Sequence, residues 1–249
     1  MKPILNIALR AARKAGSFLV YERVRLDASA DAEALQNLQI NAEIILRETI
    51  SKTFPDHLIV TDTPDFNQIH AEVVWQIQAI AGQENFIRNI PHYAIALVVY
   101  EQQKPQHTLI YDPNCEEFFV ASAGNGAKCD DYRIRMNSGL ELSNTLFMTT
   151  DEFMSSTLIT TLRAQKVNFY FQGCTLLALA YVAAGRANAF CGSYLSAMEL
   201  AAGSILLQEA GALLGDFQGT HDYPAKQELL AANPKLFKAC VQAIKKATE

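Results

Sequence analysis

A layered α-β-α-β-α sandwich, α+β in its first half and α/β in its second, is the fold this sequence predicts. Three observations predict it. The chain opens with two long amphipathic stretches whose apolar residues recur at helical spacing. A series of short apolar runs follows, punctuated by polar or proline-containing turns, as in an antiparallel sheet. From about residue 138 apolar runs alternate with helical stretches, the pattern of strands crossed by helices. The expected organisation is therefore an N-terminal lobe over 1–137 with an antiparallel sheet and a C-terminal α/β lobe over 138–249, forming one compact unit.

Taken in order, Ile4, Leu5, Ala8, Ala11, Ala12, Ala15 and Leu19 mark the first helix, with Arg10, Arg13 and Lys14 on its solvated face. Leu35, Leu38, Ala42, Ile45, Leu46 and Thr49 mark the second, which Pro55 closes off. The small, polar run 27–33 between them reads as a mobile loop. Strands are predicted at 58–61, 73–77, 93–100, 108–111 and 117–121, with turns at 102–107 and 113–114. The glycine-bearing run 123–127 lacks the Lys-Ser/Thr of a phosphate-binding loop and reads as a tight turn. In the second half, strands at 145–149, 168–171, 187–191, 212–216 and 229–232 alternate with helices at 151–165, 174–184 and 199–210. Gly185 and Gly211 stop the last two of these helices. Asn233 caps the final helix and Pro234 occupies its first turn, so that Phe237, Cys240, Val241 and Ile244 are buried.

Composition narrows the function classes. The 249 residues suffice for a substantial interior, and the chain is half hydrophobic with 19% charged residues. A net charge of −5 supplies no general attraction to nucleic acid, so direct nucleic-acid binding is not expected. Apolar runs fall far short of the ~20 residues that cross a bilayer. The first residues carry a charge in every turn and lack a secretory apolar region, which predicts a cytoplasmic protein. Five scattered cysteines (Cys115, Cys129, Cys174, Cys191 and Cys240) show no metal-binding spacing and read as free thiols. His92 reads as structural, whereas His57, His70, His107 and His221 stand in polar or loop contexts without an evident partner. Arg133 and Arg135 read as surface residues on a strand.

The run Trp75–His92, WQIQAIAGQENFIRNIPH, resembles the signature W-x-I-D-P-x-D-G-T-x-N-F-x-x-x-x-P-H of the inositol monophosphatase family. Trp75, Ile77, Gly82, Asn85, Phe86, Pro91 and His92 match it. The resemblance runs along nearly the whole chain and is nearest to the bacterial SuhB branch. It includes the opening LNIALRAARKAG, the IYDP ending at Pro113, YRIR at 132–135, LAYVAAGR at 179–186, ELAAG at 199–203 and EAGALLGDF at 209–217. It implies the layered sandwich of the inositol monophosphatase and fructose-1,6-bisphosphatase type and a homodimer. It further implies a magnesium-dependent, lithium-sensitive phosphomonoesterase activity and, for the SuhB branch, a role in transcription antitermination beside the Nus factors and RNA polymerase. The loop 194–198 lacks that branch's arginine and proline.

The positions that would carry this chemistry have changed. In the family, magnesium polarises the phosphoryl group, generates hydroxide and stabilises the leaving oxygen, and it is held by carboxylates. The family's Glu-Glu pair falls on Asp62 and Thr63, and its two signature aspartates fall on Gln78 and Ala81. Its signature threonine falls on Gln83, its W-D pair on Met198 and Glu199, and its T-x-x-D motif on Gln36 and Gln39. On the substrate side the matching positions are Gly82 and Gln83, with Gly192 replacing a glutamate. A carboxylate cluster is favourable only around cations, because like charges at close range repel. Concerted loss of charge at 39, 78 and 81 is therefore what a chain without bound metal would show, and no metal cofactor is expected. Asp62 and Glu199 are the carboxylates left for a weakly held cation. Three readings stay open: a regulatory or scaffold protein acting through partners such as the transcription machinery; a residual phosphatase of inositol or sugar phosphates using Asp62, Glu199 and Glu84; and a metal-free pocket for a small polyol or phosphate using Gln78, Gln83 and Asn85.

Overall fold

Two helices open the chain in the computed structural model, which describes residues 2–26, 32–138, 141–154 and 157–248. They are α1 (Pro3–Arg23) and α2 (Ala32–Ser51), and they bury the apolar stripes predicted for them. Of the predicted loop 27–33, residues 27–31 lie outside the described residues and the last two already belong to α2.

The first sheet follows, with strands β1 (Leu58–Val60), β2 (Val73–Ala81), β3 (Ala94–Glu101), β4 (Lys104–Asp112), β5 (Glu117–Ser122), β6 (Ala127–Cys129) and β7 (Tyr132–Ile134). They lie side by side in chain order. β1 is parallel to β2 and every other neighbouring pair is antiparallel. A short helix, α3 (Gln83–Ile87), separates β2 from β3.

The remaining elements are β8 (Leu146–Thr149), α4 (Asp151–Met154), α5 (Thr157–Ala164), β9 (Asn168–Tyr170), α6 (Thr175–Ala183), β10 (Ala189–Gly192), α7 (Ala197–Glu209), β11 (Leu213–Gly215), α8 (Tyr223–Lys226), β12 (Leu229–Ala232) and α9 (Pro234–Thr248). Their strands form the second sheet, in the order β11-β12-β10-β8-β9.

Strand periodicity assigns the layers, since successive side chains point to opposite faces. Trp75, Ile77, Ile95, Leu97, Val99 and Leu109 face α1 and α2, whereas Val74, Ala94, Ala96, Val98 and Ile110 face α6 and α7. The second sheet repeats the division. Met148, Phe190 and Ala231 join the α6–α7 layer, while Phe147, Ala189, Cys191 and Leu230 pack on α5 and α9. Five layers result, as the sequence predicts. Strands up to Ile134 belong to the first sheet and strands from Leu146 to the second.

Local differences from the sequence reading have physical causes. The expected turn at 102–107 is a two-residue hairpin, with Gln102 and Gln103 at φ +51° and +65°. Positive φ at both central residues matches the right-handed twist of the flanking strands, although no glycine announces it. β4 therefore starts at Lys104, and a register shift beside Pro105 sets that proline at an irregularity of the ladder. The helix expected over 151–165 corresponds to α4 and α5, between which residues 155–156 lie outside the described part. β6, α3 and α8 are too short to carry a detectable period, whereas β7 covers Arg133 of the strand read there.

The glycine turn at 123–127 has a task beyond reversing the chain. Its Gly124 and Gly126 N–H groups each donate, at 2.6 Å, to the Glu209 carboxylate at the end of α7. Both glycines have positive φ, which turns successive N–H groups to one side as an anion-holding nest. The anion is the protein's own.

Candidate functional site

β2 governs the site. Its pairing with β3 is regular from Val73 opposite Glu101 to Gln78 opposite Ala96, and then Ala81 stands opposite Ala94. One extra residue is thus inserted, so that Ala79 and Ile80 together oppose the single residue Ile95. Ala79, Ile80 and Ile95 all belong to the α1–α2 side of the core, whereas Ala81 belongs to the other side. Positions 78 and 81, three apart, would point to opposite faces of a regular strand. The bulge turns both toward the same face, the arrangement that two cooperating side chains need.

A cleft of about 610 Å³ opens where β2, the segment after β1, the first half of α2 and the start of α7 converge. It brings together Gln36, Gln39, Asp62, Thr63, Gln78 and Met198, six of the positions singled out in the sequence. Glu43, Gln76 and Ser196 also line it. Glu43 stands one turn beyond Gln39 on α2, and Gln76 two residues before Gln78 on the same strand face, so helical and strand periods would have found both.

Hydrogen bonds order this lining. Gln83 Nε2 donates to Gln39 Oε1 at 2.9 Å, and Gln39 Nε2 donates to Glu43 Oε1 at 3.0 Å. Tyr100 Oη donates to Gln76 Oε1 at 2.8 Å, which sets the amide's –NH2 as its donor end. Gln78 Oε1 is buried without a hydrogen-bond partner.

Other predicted positions are engaged elsewhere. Glu199 lies at the third residue of α7, where its Oε2 accepts from the Ser196 backbone N–H (2.8 Å) and Oγ (2.9 Å) while Ser196 Oγ accepts from the Glu199 N–H (3.2 Å). This reciprocal capping box starts α7 at Ala197, two residues before the predicted start. Ala81 and Gly192 do not line the cleft, and Gly82, at φ +84°, caps α3. Glu84 points to solvent and pairs with Arg88. Asn85 donates through Nδ2 to the carbonyls of His92 and Gln172, both at 2.7 Å, and thereby clamps two loops instead of serving a ligand.

Two histidines are better partnered than their sequence contexts suggested. Trp75 Nε1 donates to His57 Nδ1 at 2.9 Å, and Phe54 stacks flat on that imidazole at 4.6 Å. Burial lowers the His57 pKa, against the opposing pull of Asp56 and Glu101, and so favours the neutral ring whose Nδ1 accepts. His107 sits inside β4, between Ser122 Oγ at 2.8 Å and Glu101 Oε1 at 3.1 Å, and burial lowers its pKa too. The cysteines are free thiols, and burial raises Cys174 and Cys240 to about 12, far from a thiolate nucleophile.

The donor set can be tested against magnesium, which demands near-octahedral oxygen ligation dominated by carboxylate, phosphate and water. Of the positions aligned with the family's motifs, only Asp62 and Glu199 keep a carboxylate, and Glu199 Oε2 is committed to Ser196. The two inward positions of the bulge hold a neutral amide and a methyl group. Among the described residues, no three His, Cys, Asp or Glu side chains group so as to hold a metal ion. These residues do not fit a two-magnesium centre.

Comparison with known proteins places the chain. The family model described as the inositol monophosphatase family matches residues 1–249. The chain is similar to the Nus factor SuhB of Escherichia coli (strain K12), 34% identical over 252 residues, covering 96% of this chain and 94% of that protein. It is 33% identical over 261 residues to the Nus factor SuhB of Pseudomonas aeruginosa, covering 98% and 96% of the two chains. The crystal structure of the extragenic suppressor protein SuhB from Bartonella henselae superposes with a TM-score of 0.85 at 26% identity, over 98% of this chain and all of that one. This chain therefore belongs to the inositol monophosphatase family.

Proposed function

We propose that this protein is a SuhB-like regulatory or scaffold protein that acts through protein partners in the cytoplasm and has little or no phosphomonoesterase activity. The observation that carries this reading is the β2 bulge, whose two same-face positions hold Gln78 and Ala81 where the family's signature has two carboxylates. Phosphoryl transfer by this route needs cations to neutralise charge on attacking and leaving oxygens. Loss of a clamp worth several kcal/mol slows the reaction by roughly 10³-fold or more. A phosphate monoester in the cleft would instead meet Asp62 and Glu43, with no basic side chain among the lining residues. The relatives' name, Nus factor, supports the transcription machinery as the partner class.

Inositol monophosphate hydrolysis in millimolar magnesium is expected to remain at background and to be indifferent to lithium. Robust turnover by the unmodified protein would overturn the proposal. Affinity purification with a chelator present should recover RNA polymerase subunits, and light scattering should report a homodimer. A monomer that recovers none of them would remove the partner-based half of the reading.

A further inference from the structure

We infer that the β6–β7 end of the first sheet, at Lys128, Arg133 and Arg135, docks an acidic, solvent-exposed segment of a protein partner. This rests on the preceding reading that the protein acts through protein partners, and it names the chemistry of one docking surface. β7 is the last strand of its sheet, so one of its sides has no neighbouring strand. Lys128 of β6 stands directly opposite Arg133, and Arg135 follows two residues on, so the three cations share one face. All three are exposed, and among the described residues none forms an ion pair with a carboxylate. Like charges directly opposite on a sheet destabilise it, and a bound anion relieves that cost. In a chain of net charge −5 this end of the sheet is a local reversal of sign.

The surroundings select the occupant. A depression of about 540 Å³ lies between Arg133, Arg135, the glycine turn and the end of α7. The one carboxylate in its lining, Glu209, has both oxygens taken by the Gly124 and Gly126 N–H groups, which leaves the arginines to an outside partner. A Cβ at Gly126 would stand 3.2 Å from Arg133 Nη2 and 3.3 Å from its Nε. The guanidinium thus already rests on the turn, which lowers the ordering cost of binding. Its planar fork takes a carboxylate through two parallel hydrogen bonds. Recognition comes from side chains here and not from an added strand. A Cβ on Gly185 would lie 2.9 Å from the Arg135 carbonyl oxygen and 3.3 Å from the Asn137 nitrogen, so the turn after α6 lies against that backbone. With this cover in place, Arg135 is not needed to protect an open edge. A nucleic-acid backbone fits less well, because Asp130 and Asp131 in the β6–β7 turn end the basic strip after three cations. Tyr132, 81% exposed beside Arg133, adds the tyrosine–arginine pairing in which protein-interface hot spots are rich.

The test is fluorescence anisotropy on the full chain in chelator, with labelled hexaglutamate as the acidic probe and a labelled oligouridine as the nucleic acid. Saturable binding of hexaglutamate is expected, weakening as ionic strength rises. Arg133→Gln combined with Arg135→Gln should weaken it about tenfold or more at an unchanged melting temperature, since two charge-assisted contacts are lost. Lys128→Gln gives a second reading should that pair fail to fold, and it too should weaken binding. Arg10→Gln combined with Lys14→Gln, on the exposed face of α1, should leave binding as it was. An equal loss from the α1 pair would overturn the inference, as would tighter binding of oligouridine than of hexaglutamate at Arg133 and Arg135. No hexaglutamate binding by a chain that still recovers RNA polymerase subunits would overturn this inference alone. Binding that is lost with Arg133 and Arg135, in a chain that recovers no polymerase subunit, would support it and overturn the partner class of the proposed function.

Discussion

Ala81 shows at the scale of one residue why the site cannot be restored one side chain at a time. It is 6% exposed and belongs to the apolar layer that includes Cys174, Leu176 and Leu177, and Cys174 Sγ donates to the Ala81 carbonyl at 3.5 Å. Ala81→Asp would bury a carboxylate there without a cation. We expect a loss of about 3 kcal/mol, read by urea denaturation. An unchanged midpoint would show that the position has access to water. Gly192 is closed for a different reason. A Cβ there would sit 2.8 Å from the Phe190 ring and 2.9 Å from Thr150 Cγ2, so even Gly192→Ala should lower the melting temperature, and the family's glutamate could enter only with Phe190 displaced. The replacements at 78, 81 and 192 were legible in the sequence because a motif frame surrounds them. What Glu199 and Asn85 do was less so, since alignment with a motif says which position a side chain occupies and not which neighbour claims it. Ser196 three residues before Glu199 was the available signal.

Among the elements, α7 depends most on a few named contacts. Its N-terminus is closed by Ser196 and Glu199, and its C-terminus is tied through Glu209 to the glycine turn before β6. Ser196→Ala removes the acceptor for the Glu199 N–H and should cost about 1 kcal/mol. Glu199→Gln can still reach back to the Ser196 N–H and should cost less than Glu199→Asp, whose chain is one methylene shorter. Chemical denaturation of the three variants orders them, and equal stability would exclude the capping role. The long helices were readable because fifteen or more residues of period 3.6 leave little ambiguity. The hairpin at Gln102–Gln103 was not, because the twist of its strands imposes a backbone that its residue types do not advertise.

For the molecule as a whole, three histidines make stability depend on pH. His57, His92 and His107 all have pKa values lowered below 6.5, in each case chiefly by burial. The unfolded chain therefore binds protons at a higher pH than the folded one. The stability these groups contribute is present above 6.5 and is lost as pH falls through their folded values. Melting temperature should fall between pH 7 and pH 5 by more than carboxylate titration explains. His57→Gln, which keeps an acceptor for Trp75, should flatten part of that fall, and an unaltered profile would exclude His57 as a contributor. Magnesium at millimolar concentration should leave the melting temperature where it was, since only a bound ligand stabilises, whereas a rise of several degrees would reveal a cation site. The five layers followed from periodicity alone. The cleft between them did not, because it is assembled from α2, β2 and α7, which are distant in sequence and meet only once the sheet is registered.

The extra residue in β2 separates two kinds of change. It belongs to the pairing of backbones, so residues 78 and 81 can be exchanged for others with the sheet still in register, and the history visible at those positions is one of substitution. Deleting either Ala79 or Ile80 would act quite differently. The ladder would become regular with Ala81 still opposite Ala94 and still on the α6–α7 side, but the bend that the bulge gives the strand would go, and the α1–α2 core would lose one of its two buried side chains at this point. This strand accepts changes of letter and not changes of length, so a sequence related to this one, whatever stands at 78 and 81, should keep the same number of residues between Trp75 and Gly82.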